Sequence, residues 1–375
     1  MKELKLYIGI MSGTSLDGID AVLMATNGTQ VELKERCHHA FATPLRHRLL
    51  ACANGEPLSA KCWGELDVAL GQAYAELVRQ LLHTANTPAS EVAAIGCHGQ
   101  TVWHQPDAPL PFSVQLGDGH RLAAHTNIVT INDFRRKDLA LGGQGAPLVP
   151  AFHQQVLADA QRVRVVVNIG GIANLTLLDP QQAVLGFDVG PGNMLMDAWC
   201  QQQWGSPFDE DAAFGLQGQV NQALLASLLA EPWLAQAPPK STGRELFSMG
   251  WLVQHLSAQA QPVNAFDVQA TLAEFSAQAI AEQVQLLTIS QQPLSPQLLV
   301  CGGGAHNPLL MQRLSALLPH WHVNTTSSVG VDADAMEALA FAWLAHQTLQ
   351  GLPGNLPAVT GASRPAILGA IHLPG

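Results

Sequence analysis

Apolar positions along the chain follow two periods, and the switches between them mark the predicted elements. Residues 6–11 (LYIGIM) form a short apolar run that predicts a buried strand. SGTSLDG (12–18) interrupts it with glycines and hydroxyls, and residues 19–25 resume an apolar strand. The pair reads as a hairpin with a polar, glycine-punctuated turn, and residues 31–41 can supply a third strand. From 62 to 83 the period lengthens. Trp63, Leu66, Ala69, Leu70, Ala73, Leu77, Val78 and Leu81 recur at helical spacing. A short strand over 92–96 then ends at CHGQT (97–101).

The second half repeats the opening. A strand over 165–169 enters Gly170-Gly171, and residues 175–178 return as a strand. This hairpin begins about 160 residues after the first, a weak internal repeat at the spacing of one domain. GFDVGPGN (186–193) opens a helix over 194–203, and a second helix is predicted over 268–287. Residues 298–301 form a buried strand running into Gly302-Gly303-Gly304, followed by helices over 309–318 and 332–350. The tail from 351 is rich in Pro and Gly, and the turn-rich LGGQGAPLVP (141–150) marks the change of domain. The layout predicts an α/β protein of two lobes, each begun by a hairpin with a glycine turn, closing over a ligand.

Composition narrows the partners. At roughly 150 residues per domain, 375 residues make two or three domains. A hydrophobic share of 47% excludes disorder over most of the length. The net charge of −11 argues against nucleic acid and against an anionic membrane surface. The six cysteines, Cys37, Cys52, Cys62, Cys97, Cys200 and Cys301, contain no CxxC pair, so they read as reduced thiols and not as a zinc or redox motif. No secretory signal and no membrane-length apolar run is found, which predicts a cytoplasmic protein.

Three glycine turns, at 12–18, 168–174 and 302–307, are the first candidate chemistry. Glycine lets backbone N–H groups face a phosphate. One such turn is usually an ordinary connection, but three favour nucleotide binding. None carries the GxGxxG and following acid of a dinucleotide fold. Asp188, in GFDVGPGN, reads either as a general base or metal partner, or as a helix N-cap. Asp17 can approach Mg²⁺ through water, whereas Asp20 reads as a turn or strand-end residue. Asp118, Asp133, Arg135 and Arg136 form a polar cluster that can hold a carboxylate or phosphate bidentately, or be a surface ion-pair group. The 15 histidines show no HExxH pattern, and His98, beside Gly99 and Gln100, is the candidate pocket liner. Glu337, three residues after Asp334, reads as a capping box or as a pocket residue. PPKSTG (238–243) is a loop without Walker A spacing.

Longer strings go further. MSGTSLDG (11–18), IGCHGQTVWH (95–104), DFRR (133–136), LALGGQGAPLVPAF (139–152), NIGGIANL (168–175), GPGNMLMDAW (190–199), KSTGRE (240–245), CGGGAHNPLL (301–310) and MEALAFAWL (336–344) resemble the anhydro-N-acetylmuramic acid kinase family over essentially the whole chain. The resemblance implies an actin-like ATPase fold of two lobes, each a mixed five-stranded sheet with flanking helices. The N-terminal lobe would span 1–140, to which the tail 352–375 can return, and the C-terminal lobe 141–351. It implies ATP with Mg²⁺, the ion held through ATP and waters with no direct protein ligand. Gly13, Thr14, Ser15, Leu16, Asp17, Gly18, Ile19 and Asp20 correspond to the phosphate loop. Asn168, Gly170 and Gly171 correspond to a second phosphate hairpin, and Gly302, Gly303, Gly304 and Asn307 to the adenosine region. Asp188 falls at the catalytic aspartate. Val189 departs from the family's frequent Thr, which removes a hydroxyl beside the acid. His98, Gln100, Arg135, Arg136, Gly190, Asn193 and Glu337 are the substrate candidates. The implied reaction opens 1,6-anhydro-N-acetylmuramic acid with water and phosphorylates O6, as part of peptidoglycan recycling by a homodimer. The alternatives are a kinase of the same fold acting on an ordinary sugar hydroxyl, and a non-metabolic ATP switch.

Overall fold

The computed structural model describes residues 3–13, 16, 18–53, 55–238, 240–243 and 245–375. Thr14, Ser15 and Asp17 of the predicted phosphate loop lie outside the described residues. In chain order the strands are β1 (Lys5–Ser12), β2 (Gly18–Thr26), β3 (Val31–Ala40), β4 (Val92–Gln105), β5 (Phe112–Leu116), β6 (Thr130–Asn132), β7 (Arg164–Ile169), β8 (Ile172–Leu178), β9 (Leu185–Pro191), β10 (Gln297–Cys301), β11 (His322–Thr325) and β12 (Ala370–His372). They divide between two compact α/β units, Met1–Val156 with Ala335–Gly375, and Leu157–Asp334.

The first unit holds a mixed sheet of order β12-β6-β4-β1-β2-β3, with β5 paired antiparallel to β4. It has seven strands where five were expected, because β5 and β12 join it at β4 and β6. Alternation along β1 sets the packing. Ile8 and Ile10 join the core beneath the Ala60–Thr84 helix, which buries Leu66, Leu70, Tyr74, Leu77, Val78 and Leu81. Ser59 caps that helix by accepting from the Cys62 N–H. Gly9 and Gly96 let the Met336–Leu349 helix approach; a Cβ at either would strike the carbonyl of Ala338 or Phe341. That helix packs on β1, β2 and β4, and Trp343 meets Phe152 at 6.0 Å between ring centres. These contacts put the edges of the unit at 156/157 and 334/335, where the sequence suggested 140/141 and 351/352. Asp138, fully buried, adds a polar tie. It accepts from Gly145 N (2.8 Å), Asn355 Nδ2 (2.6 Å) and Thr360 Oγ1 (2.8 Å).

β4 is longer than its apolar pattern suggests. The CHGQT segment continues the strand because residues 100–105 find a partner in β5, which satisfies their backbone groups.

The second unit has a five-stranded mixed sheet of order β11-β10-β7-β8-β9. β7, β10 and β11 run parallel, and β7, β8 and β9 form an antiparallel meander. The core on this sheet includes Val165, Val167, Ile280, Val284, Leu310 and Leu314, the last four from the helices Ala265–Leu286 and Pro308–Leu317. Among the described residues no helix is long and apolar enough to cross a membrane.

Candidate active site

Asp188 lies within β9, opposite Asn174 of β8. Its neighbours Phe187 and Val189 are buried in the core, and alternation turns Asp188 to the other face, where it is half-buried. The helix-cap reading therefore fails: the N-cap position of the Met194–Trp204 helix belongs to Asn193. Val189 is fully buried, so a Thr hydroxyl at this position would enter the core and not the face carrying the acid.

The 240–243 turn holds Asp188. Its N–H donates to the Lys240 carbonyl (3.1 Å), and its Oδ2 accepts from Ser241 Oγ (2.9 Å) and Thr242 N (3.0 Å). Among the described residues no protein group donates to Oδ1. Burial pushes the Asp188 carboxyl above its usual range; the two hydrogen bonds oppose the shift, and the nearby Glu245 charge adds to it. The Lys240 ammonium is directed elsewhere. It donates to Leu234 O (2.7 Å) and lies 4.6 Å from the centre of the Trp233 ring.

The glycine turns of this unit converge. Gly192 N and Asn193 N donate to Gly171 O (2.9 Å) and Gly170 O (2.8 Å), which ties the GPGN turn to the β7–β8 turn. Asn193 Nδ2 also donates to Ile169 O (3.2 Å). Gly302 follows β10 at a φ of +78°, and a Cβ there would meet Asn168 Oδ1. A Cβ on Gly303 would lie 3.4 Å from Asn193 Nδ2. Asn168, Gly170, Gly171, Asn193, Gly302, Gly303 and Gly304 are thus drawn together, with Gly190 in β9 paired to Ala173. Asn307 stands apart in role: its side chain caps the Pro308–Leu317 helix by accepting from Leu310 N (3.0 Å).

In the first unit, Leu16 holds the left-handed conformation (φ +57°) with its side chain in the core. Its N–H donates to Gly13 O (3.3 Å), and its carbonyl accepts from Arg46 Nε (2.8 Å). Ile19 is also core, so Leu16 and Ile19 can offer a ligand only their backbone. Gln100 Nε2 donates to Gly13 O (3.1 Å), linking the two motifs. A Cβ on Gly18 would strike the His38 ring, which itself pairs with the exposed Asp20 (2.9 Å).

Arg135 and Arg136 part company. Arg136 is exposed and pairs with Asp133 at 2.7 Å, the surface ion-pair outcome. Arg135 turns inward. Its Nη2 and Nε reach His98 Nε2 (2.8 and 3.3 Å), and its Nη1 donates to Gly145 O (2.8 Å). Arginine can only donate, so His98 Nε2 is an acceptor and the ring is neutral, with its proton on Nδ1 beside the backbone of Ser12 and Gly99. Burial, then the Arg135 charge, hold the His98 pKa well below its usual value. Burial lowers Arg135 to about 10, with Glu337 and Asp138 opposing the shift, so it stays charged at neutral pH. Glu337 thus faces the Arg135 charge. The capping box is not formed, since Ala335 holds the N-cap position without a side-chain bond. His98 and Arg136 also line a cavity of about 450 Å³ in this unit, together with Trp63, Asp67, His120 and His372.

Sequence reasoning missed Ser241, Thr242 and Asp138. KSTGRE was visible as a string without a role, and nothing local marked Asp138 as the buried acid of its neighbourhood.

In structure the chain is similar to the activator of the 2-hydroxyisocaproyl-CoA dehydratase from Clostridium difficile with bound ADPNP (TM-score 0.46, 11% identity, 92% of this chain and 96% of that one). It is also similar to a ROK family glucokinase from Streptomyces griseus in complex with glucose and AMPPNP (TM-score 0.41, 14% identity, 91% and 99%). In sequence it is 54% identical over 372 residues to the anhydro-N-acetylmuramic acid kinase of Vibrio parahaemolyticus serotype O3:K6 (strain RIMD 2210633), covering 99% of both chains. The corresponding protein of Vibrio cholerae serotype O1 (strain ATCC 39315 / El Tor Inaba N16961) is 53% identical over 376 residues and the full length of both. The family model described as anhydro-N-acetylmuramic acid kinase matches residues 5–374. With agreement over this length, the chain belongs to the anhydro-N-acetylmuramic acid kinase family and is a phosphotransferase.

Proposed function

We propose that the enzyme opens 1,6-anhydro-N-acetylmuramic acid with water and transfers the γ-phosphoryl group of ATP to O6, giving N-acetylmuramic acid 6-phosphate and ADP. The observation that carries this reading is a half-buried carboxylate, Asp188, held through one oxygen and open at the other. Water attacks C1, the C1–O6 bond breaks with its electron pair going to O6, and O6 takes the phosphoryl group as ADP leaves. Asp188 takes the proton of the attacking water. An inverting glycosidase needs a second carboxyl to protonate the departing oxygen. Here phosphoryl capture of O6 replaces that acid, so one carboxylate suffices.

In the first unit, residues 13–20 are read as a phosphate loop; in the second, the Asn168, Gly170 and Gly171 turn is read as serving phosphate, and Gly302, Gly303 and Gly304 the adenosine, with Asn307 taken up by its helix cap. The residues fit an anion: a Cβ built on Gly170 or Gly171 would meet nothing closer than 3.7 Å, so a phosphate can reach the backbone there. Mg²⁺ is read as an ion carried on phosphate oxygens and water. When bound, Mg²⁺ neutralises phosphate charge. In the first unit Arg135, charged and held by His98, is read as the partner of the substrate's lactyl carboxylate, and Gln100 and Glu337 as further substrate residues; in the second unit Gly190 and Asn193 are read as substrate residues. Arg136 is left out because it faces Asp133 at the surface.

A coupled ADP-release assay tests the reading, comparing the anhydro sugar with N-acetylmuramic acid. Turnover is expected with the anhydro sugar, and ¹⁸O from labelled water should enter at C1. Equal turnover with an ordinary hexose, or no label at C1, would overturn it. The reading includes a cytoplasmic homodimer serving peptidoglycan recycling, and light scattering on the purified protein tests the dimer.

A further inference from the structure

We propose that Ser241 is a positioning residue for Asp188: with Thr242 N–H it fixes Oδ2, and so assigns Oδ1 as the oxygen that takes the proton from water. The proposal rests on the reading of Asp188 as the base. A carboxylate rotates readily about its last side-chain bond, so an aspartate in a strand does not by itself choose which oxygen faces the reaction. Here two donors converge on the same oxygen, at 2.9 and 3.0 Å, and among the described residues none reaches the other.

The turn that brings them is anchored independently of the carboxylate. Asp188 N–H holds Lys240 O, Lys240 Nζ holds Leu234 O, and Trp233 Nε1 donates to Ser241 O (3.2 Å). Trp233, Leu234 and Lys240 are buried. The Ser241 hydroxyl is thus delivered by a braced backbone, the arrangement that keeps a reactive group within a fraction of an ångström of its working position. Ser241 itself is exposed, so water would serve its hydroxyl equally well. The partner that gains from the bond is the half-buried carboxylate, whose desolvation is otherwise offset only by the Thr242 N–H among the described residues. The charged group facing Asp188 is Glu245, further along the same loop; Lys240 is turned to Leu234, and Arg244 lies outside the described residues. Ser241 therefore opposes both burial and Glu245 in keeping the base deprotonated.

The test compares S241A, S241C and S241T with the wild-type full chain in the ADP-release assay, with D188N as control. Removing one hydrogen bond to a partly exposed carboxylate should move the acid limb of kcat/KM upward by about one pH unit. The kcat at pH 8 should fall about tenfold from lost orientation, with KM for ATP and for the anhydro sugar within about twofold. S241C, of similar shape with a weaker donor, should shift the limb the same way and guards against a folding loss in S241A. S241T, which keeps the hydroxyl, should restore the limb. A purely structural role would lower the melting temperature and leave the limb in place. If the limb of S241A and S241C stays at the wild-type position while D188N is inactive, the proposal is overturned and the reading of Asp188 stands. If D188N is itself active, the reading fails first.

Discussion

Replacing Asp188 by Asn removes the proposed base while keeping its shape, and the structure dictates how the amide must lie. Ser241 Oγ and Thr242 N both donate to the position of Oδ2, so the amide oxygen has to occupy that place. The NH₂ group is then forced to the Oδ1 position, where water meets a donor and not an acceptor. The fold loses one charge and no donor or acceptor partnership, so the melting temperature should change little. The proton acceptor is gone, and loss of a general base costs about 10²–10⁴ in rate, or roughly 3–5 kcal/mol of barrier. The assay is steady-state ADP release with the anhydro sugar, with nucleotide and sugar affinity measured separately by calorimetry. Both ligands should still bind. The pH profile gives a second reading. Burial raises the Asp188 pKa, and the base must be deprotonated, so wild-type kcat/KM should fall as the pH drops through that raised value and level off above it. The inflection belongs above the ordinary carboxylate value of roughly 4. A kcat for D188N within a few-fold of wild type would refute the argument, whatever the binding data say.

Three further predictions concern the first unit. D138A strands the donors of Gly145, Asn355 and Thr360 inside a buried site, and should cost about 3–5 kcal/mol in urea unfolding; a loss below about 1 kcal/mol would mean the site readily rearranges or admits water. H98L removes the acceptor that orients Arg135, and should raise the sugar KM about tenfold while leaving the ATP KM unchanged; equal changes in both would show a general loss of folding. Burial, reinforced at His98 by the Arg135 charge, holds the pKa of His98 well below its usual value, and burial moves His153 to about 3. Their unfolded forms take up protons near 6.5 and the folded forms do not, so stability is full above roughly 6.5 and is lost as the pH falls toward about 3. In guanidinium titrations H153F should flatten this dependence by about 1.4 kcal/mol per pH unit, and an unchanged slope would contradict it.

Much of the architecture was legible because it depends on short-range patterning. The helical run Trp63, Leu66, Leu70, Leu77, Val78 and Leu81 needs only one apolar stripe to declare itself, and the observed helix extends the predicted 62–83 by two residues before it and one after. The strands 6–11 and 165–169 were visible for the same reason, as β-branched and aliphatic runs closed by glycine. Strand pairing is a longer-range matter. The polar continuation of β4 and the additions of β5 and β12 make sense only once partners distant in sequence supply their hydrogen bonds, so a five-stranded expectation became a seven-stranded sheet.

The chemistry divides along the same line. Sequence by itself determined which residue types were available: an acid in GFDVGPGN, glycines at three turns, adjacent arginines in DFRR. It left open whether Asp188 caps a helix, which arginine turns inward, and whether Glu337 belongs to a capping box. Tertiary structure decided all three. Strand alternation put Asp188 on the face opposite Val189, and Gly145 and His98 drew Arg135 in while Asp133 kept Arg136 at the surface. The reason is physical: a side chain's identity follows from one position, but its orientation, its solvation and hence its proton affinity depend on groups brought beside it from elsewhere in the chain. Ser241 and Thr242, more than fifty residues beyond the acid they hold, are the clearest instance.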